Sequence, residues 1–479
     1  MNHYNKDFHL KVGLEVHLQV KVGTKAFSQE SYNYGEKQNT CISAWSVGMP
    51  GVLPSPSLAL IESGIKLGLA MKSRINRVLR FSRKNYFYTD LPKGYQLTQT
   101  DPLCIGGELR FVDDDNKEVS VPIKEIHLEE DSGKSIYKSS KVFVDYNRSG
   151  VALLEVVTEP CIYKPEHASL FLIELRKLVR WLGVSDGDME KGSLRCDVNV
   201  SVVSKDKDYN RTEIKNLNSF TAVRKSIITE YKRQLEVIES GRDVKEQTLS
   251  FDMKTSSIKI LRDKSSAMDY RYINESDILP VRISEEKINT IQKELSVLPY
   301  IYFQLFYSSF GFDLKKTRLI TEDRGRCLFL NLLIDESIKP NIALNWVLGH
   351  LMELERTESL SIGSLNIEEL VVLLKALQND KISFYNAKVV FSKYLSSDDL
   401  SMEKALSKVL SSSGNKEKLK EDVKLLLSEH PDKVKQYLDG KETLVQFFVG
   451  QVMRYSKGMY DPKEVKEIVE EELKSYKSK

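Results

Sequence analysis

KVGLEVHLQVKV, residues 11–22, alternates almost without error. Val12, Leu14, Val16, Leu18 and Val20 fall on one side, and Gly13, Glu15, His17 and Gln19 on the other. A period of two is the signature of a half-buried strand. The polar side is unusual. A solvated face favours Thr, Lys and Ser, whereas here a Glu stands two residues from a His. On one pleat those side chains are close enough to hold a single ion. The stretch reads either as a solvated sheet face or as half of a metal site.

The pattern recurs. In VPIKEIHLEEDSGK, Ile126 and Leu128 point one way while His127, Glu129 and Asp131 point the other. In GSLRCDVNVSVV, Leu194, Cys196, Val198, Val200 and Val202 form an apolar face opposite Arg195, Asp197, Asn199 and Ser201. Glu213 and Lys215 share a face in RTEIKNLNSF, and Glu155 interrupts the apolar run of GVALLEVVTEP. A carboxylate buried in such a run must be paired, protonated or bound to a cation, since desolvating its charge alone costs several kcal/mol. Any one of these faces is compatible with solvated antiparallel strands. Together they suggest one sheet lining a polar cleft. Magnesium takes one or two carboxylates, waters and phosphate oxygens, whereas the histidine fits manganese or zinc better.

Two helices stand out within the strand-rich part. The first runs from about Pro165 to about Leu182 before Gly183, and the second from an N-cap at Ser219 to near Gly241. Beyond about Leu279-Pro280 the two-residue period gives way to amphipathic helices, among them LNIEELVVLLKALQ (365–378) and ISFYNAKVVFSKYL (382–395). Ser411-Ser412-Ser413-Gly414 reads as a hinge into a last helical segment. There LVQFFVGQVMRYSKG spaces Val445, Phe448, Val452 and Tyr455 as one helix face, with Arg454 and Lys457 toward its end. The expected class is α+β: a large mixed domain (1–292), an all-α domain (293–410) and a small helical tail (411–479).

The composition places the 479 residues among ordinary multidomain proteins, with 41% hydrophobic and 29% charged residues. A net charge of +3 is too small to indicate nucleic acid, so any basic surface is local. No apolar run approaches the roughly 20 residues that span a bilayer. The N-terminus has neither an apolar signal core nor the look of an Arg-rich transit peptide. The five cysteines (Cys41, Cys104, Cys161, Cys196, Cys327) are scattered, with no CxxC pair, which argues against a disulfide framework and a closed Cys zinc site. The expectation is a cytoplasmic protein without membrane contact.

DSGKS (131–135) imitates the end of a phosphate-binding P-loop, but the first glycine of that motif would fall on Leu128. Any phosphate must therefore be met by metal and basic side chains. RKNYFYTDLPKGYQLTQ (83–99) supplies Arg83, Lys84 and Lys93 among Tyr86, Phe87, Tyr88 and Tyr95, around a turn at Asp90–Gly94. It reads either as an aromatic-rich strand pair or as a loop that presents cations to phosphate.

VGLEVHLQV, RKNYFYTDLPKGYQ, IHLEEDSGK, DYNRSGVALLEVVTEP, GVSDGDMEKGSLRCDVNVSV and EIKNLNSF occur in this order, followed by MDYRY (268–272), ALNWVLGHL (343–351) and FFVGQVMRYSKG (447–458). Together they resemble the B subunits of the aspartyl/glutamyl-tRNA amidotransferases, over nearly the whole chain. The resemblance implies a β-rich cradle domain, a helical domain and a tRNA-binding tail. It implies a ligase that forms a carbon–nitrogen bond with glutamine as nitrogen donor. Its partners would be an amidase (A) subunit and a small C subunit, in a heterotrimer acting on misacylated Glu-tRNA(Gln) and/or Asp-tRNA(Asn). ATP would phosphorylate the side-chain carboxylate, and ammonia from the amidase would displace phosphate.

By the same resemblance Glu15 and His17 sit at a magnesium site completed by Glu129, with Glu155 and Glu213. Glu15, His17 and Glu129 are the expected catalytic residues, Lys84 and Lys93 the ATP phosphate contacts, and Arg195 a contact for phosphate or the tRNA terminus. Many relatives carry a Cys-based zinc knuckle where this chain reads AFSQESYNYGEKQNTCISAWSVGMPG, with Cys41 alone, so no zinc is expected. DYRYIN replaces the family's DYRYFP, and Lys191 stands at a usual acidic position. Two other classes use the same cleft: a metal-dependent phosphatase or nuclease, and a non-catalytic tRNA-binding scaffold. ATP consumption that requires both glutaminase and misacylated tRNA separates the first reading from these.

Overall fold

The computed structural model describes residues 7–263, 269–295, 297–397, 400–413, 416–456, 460 and 462–477. They form two compact units, Met1–Leu305 and Phe306–Lys479. The first is built on a ten-stranded sheet: β1 (Phe8–Gln19), β2 (Arg74–Ile75), β3 (Cys104–Ile105), β4 (Glu108–Val112), β5 (Glu118–Glu130), β6 (Ala152–Thr158), β7 (Leu194–Ser204), β8 (Thr212–Leu217), β9 (Gln247–Asp252) and β10 (Ser257–Asp263). Their order is β10-β9-β8-β7-β1-β6-β5-β3-β2, with β4 also paired to β5. The β8–β9 pair is parallel, and the pairs on either side of β1 are antiparallel.

β1 keeps the period read from its sequence. Leu10, Val12, Leu14, Val16 and Leu18 are buried in the core, while Lys11, Glu15, His17 and Gln19 are only half-buried. That core continues into α1 (Leu58–Ala70), α2 (Pro165–Trp181) and α3 (Phe220–Glu239). Pro165 opens α2 at its first turn. The Ser219 hydroxyl caps α3 by accepting the Ala222 N–H at 3.1 Å.

Local sequence signals mark two helices in this part, and α1 is a third that they miss. Gly64 and Gly68 weaken its helical signal, yet both are packing positions. A Cβ on Gly64 would overlap Leu103, and one on Gly68 would overlap Cys104. Close approach of α1 to the sheet therefore selects glycines against helix propensity.

The lobe between β1 and α1 has little regular structure and is anchored by Lys25, which is fully buried. Its ammonium lies 3.4 Å from Glu30, donates to the Cys41 carbonyl at 2.7 Å and meets Ser46 Oγ at 3.1 Å. Burial lowers the Lys25 pKa, and the Glu30 charge opposes that shift. Cys41 belongs to no metal-holding group among the described residues. An ammonium tied to a carboxylate, a carbonyl and a hydroxyl holds the lobe.

The second unit is helical, and helices Ile367–Gln378 and Phe384–Leu395 bear out the two stretches picked from sequence. Ser411–Ser413 close helix Met402–Ser413 rather than forming a hinge, and Gly414 lies outside the described residues. Helix Leu444–Tyr455 buries Val445, Phe448 and Val452, but Tyr455 is exposed, and Lys457 lies outside the described residues. Together with Leu419, Val423, Val465 and Leu473 those three form a local core.

Removing a buried ammonium leaves its carboxylate desolvated and unpaired. Lys25→Ala should therefore destabilise the first unit by about 3–5 kcal/mol, seen as a lower thermal unfolding midpoint. An unchanged midpoint would show that the lobe does not depend on this pair.

Candidate active site

Register brings the polar residues together. His17 lies opposite Glu155 on β6 and opposite Arg195 on β7. Glu155 in turn lies opposite His127 on β5. Arg195, His17, Glu155 and His127 thus form one row across four strands, and Glu129 follows two residues beyond His127. His17 Nε2 lies 3.4 Å from Glu129 Oε2 and 3.5 Å from Glu155 Oε1. The three ligand atoms fall within 4.8 Å of one another.

Strand Tyr95–Thr98 fixes the buried Glu129. Thr98 Oγ1 donates to Glu129 Oε1 at 2.7 Å, and Gln96 Nε2 approaches Glu129 Oε2 at 3.3 Å. Burial alone would raise the Glu129 pKa. The hydrogen bond and charge of His17, helped by Lys84 and Thr98, instead hold it at about 2. Burial and the Glu129 charge push Glu155 up to about 7. Burial would lower His17, but the Glu129 hydrogen bond and the two carboxylate charges raise it. Two carboxylates and an imidazole crowded together thus retain protons that a divalent cation would displace. Nitrogen and oxygen donors of this kind fit such a cation.

Glu15 and Glu213 belong to a second cluster, with Asp197, whose ligand atoms also lie within 4.8 Å of one another. Asn199 Nδ2 donates to Glu15 at 2.8 Å. Lys215 contacts Asp197 and stands 2.7 Å from Glu213 Oε1. The β7–β8 register slips between Cys196 and Val198, at Asp197. Such irregularities re-aim side chains beside sites. The five carboxylate and histidine positions expected as one set are therefore two adjoining groups, the second already holding a lysine cation.

A cavity of about 710 Å³ is lined by Glu15, Lys84, Gln99, His127, Glu129, Glu155 and Tyr272, among others. Lys84 makes no ion pair among the described residues. Its ammonium stacks on the Tyr270 ring, 4.8 Å from the centroid. Burial lowers its pKa, but Glu129, Tyr272 and Glu155 more than reverse this, so it stays cationic. A second cavity of about 340 Å³ is lined by His17, Gln96, Asp131, Arg195, Asp197 and Lys215.

The other two expected phosphate contacts are engaged. Lys93 bonds both Glu130 carboxylate oxygens at 2.7 and 2.6 Å, lies over the Trp45 ring at 4.3 Å and is only 4% exposed. Arg195 donates to Asp131 at 2.7 Å, and the Asp131 charge raises its pKa. Gln96, Thr98, Glu130 and Tyr272 escaped the sequence reading. For Gln96 and Thr98 a signal existed, since YQLTQ alternates like the strands around it. Glu130 carried none, because it occupies the core side of β5.

Residues 10–289 match the GatB/GatE catalytic domain family, and residues 328–473 the GatB domain family. The chain is 38% identical to the B subunit of the aspartyl/glutamyl-tRNA(Asn/Gln) amidotransferase from Thermodesulfovibrio yellowstonii, over 97% of this chain and 98% of that protein. It is also 38% identical to the B subunit from Wolbachia pipientis wMel, over 98% of this chain and 99% of that protein. The B subunit from Thermotoga maritima is 37% identical, over 96% and 98%. Motif order and matches along almost the whole chain agree: this chain belongs to the family of tRNA-dependent amidotransferase B subunits.

Proposed function

We propose that this chain is the ATP-dependent subunit of a glutamine-dependent tRNA amidotransferase. It would phosphorylate the side-chain carboxylate of Glu-tRNA(Gln) and/or Asp-tRNA(Asn) and amidate it with ammonia from an amidase subunit, with a small C subunit completing a cytoplasmic heterotrimer. The observation that carries this reading is the His17–Glu129–Glu155 group, whose two carboxylates line the same cavity as Lys84. A bare carboxylate has no leaving group. One of its oxygens must first attack the terminal phosphorus of ATP, with ADP leaving. Ammonia then attacks the carbonyl carbon, and phosphate leaves.

His17, Glu129 and Glu155 would hold Mg2+, with Glu15 and Glu213 ordering the adjoining side. When bound, that cation neutralises phosphate charge and orients the oxygens in line. Thr98 and Gln96 fix the Glu129 carboxylate, so the ligand set is arranged before substrate arrives. Lys84 is the cation best placed for ATP phosphates. Lys93 could reach phosphate only by leaving Glu130, whereas Arg195 bonds Asp131 through one nitrogen and keeps further N–H donors. On this reading 1–292 is the catalytic cradle, 293–410 a helical domain and 411–479 the tRNA-binding tail.

The deciding assay offers the co-purified complex Glu-tRNA(Gln) and Asp-tRNA(Asn) separately, with ATP and glutamine. Phosphate release without amide formation would favour a hydrolase, and no ATP cleavage a scaffold. Glu15→Ala and His17→Ala should reduce tRNA-dependent ATP cleavage ~100-fold or more, with circular dichroism unchanged and some glutamine hydrolysis retained. Full ATP cleavage in either folded variant would refute the ligand assignment.

Elemental analysis of the purified chain should find no stoichiometric zinc, because structural zinc sites need four ligands and the lobe offers one cysteine. One tightly held zinc per chain would overturn that expectation. Truncation at Ser411 should raise the KM for misacylated tRNA and flatten the salt dependence of binding, by roughly 0.7–0.9 in slope per lost phosphate contact. Unchanged affinity and slope would make the tail a structural appendage.

A further inference from the structure

Gln99 is satisfied on one side only. It follows strand Tyr95–Thr98 and is 3% exposed. Its Oε1 accepts the Leu128 N–H at 2.9 Å, and its main-chain oxygen lies 3.1 Å from His127 Nδ1. A backbone N–H needs an acceptor, so the Leu128 bond fixes the carboxamide orientation and turns Nε2 away from Leu128. Nε2 is buried and meets no acceptor among the described residues. Gln99 lines the same cavity as Lys84, Glu129 and Glu155. A buried amide donor without a partner is costly, and native structures rarely keep one without a reason.

We propose that Nε2 of Gln99 donates to the side-chain carbonyl oxygen of the aminoacyl group as it is amidated. This rests on the functional reading above, which puts that carboxyl group in this cavity. The choice of oxygen follows from charge. Phosphate oxygens are served by the Lys84 ammonium and the cation site, whereas the carbonyl oxygen needs a donor that tolerates changing charge. When ammonia forms the C–N bond, the carbonyl π electrons move onto that oxygen. When they return, the C–O bond to phosphate breaks, and the surplus proton on nitrogen leaves with the phosphate. A neutral N–H can bond the oxygen as carboxylate, acyl phosphate, oxyanion and amide, and it binds the oxyanion most strongly.

Two variants separate this role from a structural one, tested in the complex with its partner subunits. Gln99→Glu keeps an oxygen for the Leu128 N–H but removes the donor, while Gln99→Leu removes both. Both variants should lower the kcat for amide formation about 100-fold and leave the KM for ATP unchanged. A Glu variant with wild-type kcat would overturn the proposal, since only the acceptor would then matter. So would a defect confined to the KM for ATP, which would place the donor on phosphate. If Gln99→Leu fails to fold, the Glu variant alone decides. A wild-type complex that forms no amide would overturn the functional reading, and this inference with it.

Discussion

The structure turns on the cost of crowding carboxylates out of water. Glu129 and Glu155 share one imidazole on the polar face of the sheet. Their environments drive them in opposite directions, Glu129 to about 2 and Glu155 to about 7. Such a group is stable only with protons or a cation among its oxygens. The second acidic group solves the same problem differently, since Lys215 sits against Asp197 and Glu213. One group thus contains a lysine that offsets part of its charge, whereas the other contains only an imidazole; on the reading proposed above, that other group would take the cation.

Holding such a group in place needs rigidity, and the sheet supplies it through register. A slip of one residue between β1 and β6 would turn His17 or Glu155 to the opposite face. The apolar alternation of Val12, Leu14, Val16 and Leu18, all buried, excludes that slip. Strand Tyr95–Thr98 and the residue after it add a clamp made of side chains. Gln96 and Thr98 bond Glu129, Gln96 bonds the Glu130 carbonyl at 2.7 Å, and Gln99 bonds Leu128. Three polar side chains from one short segment thereby fix the end of β5.

Wherever local period matched tertiary burial, the sequence was readable. β1, β7, α2 and α3 are legible because alternation, Pro165 and Ser219 act locally. α1 was hidden because its glycines answer to Leu103 and Cys104, which are remote in sequence. Among the candidate site residues, Glu15, His17, Glu129, Glu155 and Glu213 were visible as polar positions on or within apolar strands. Their division into two groups was not, since it depends on cross-strand partners and on the slipped register at Asp197. Lys93 looked like a free cation in a turn, and only the fold reveals Glu130 beneath it.

The Lys93–Glu130 pair also links the site to the lobe at Lys25. Trp45, from that lobe, covers the Lys93 ammonium. Ser149 donates to the Ser46 carbonyl at 3.0 Å, and Ser46 is a partner of Lys25. At the neighbouring Gly150 a Cβ would touch both Lys25 and Glu130 Oε2, at 3.5 and 3.7 Å. Lys25 and the carboxylate that holds Lys93 thus both approach one small residue. The like charges of Lys25 and Lys93 oppose each other, and the Lys93 charge is one cause of the lowered Lys25 pKa. Each ammonium is therefore tolerated only while its own carboxylate stays in place. An irregular lobe without a cysteine cage is in this way tied to the strand that carries Glu129, and the main-chain bonds Ala26 N–H to Gly150 O and Gly150 N–H to Asp131 O, each 2.8 Å, run the same way.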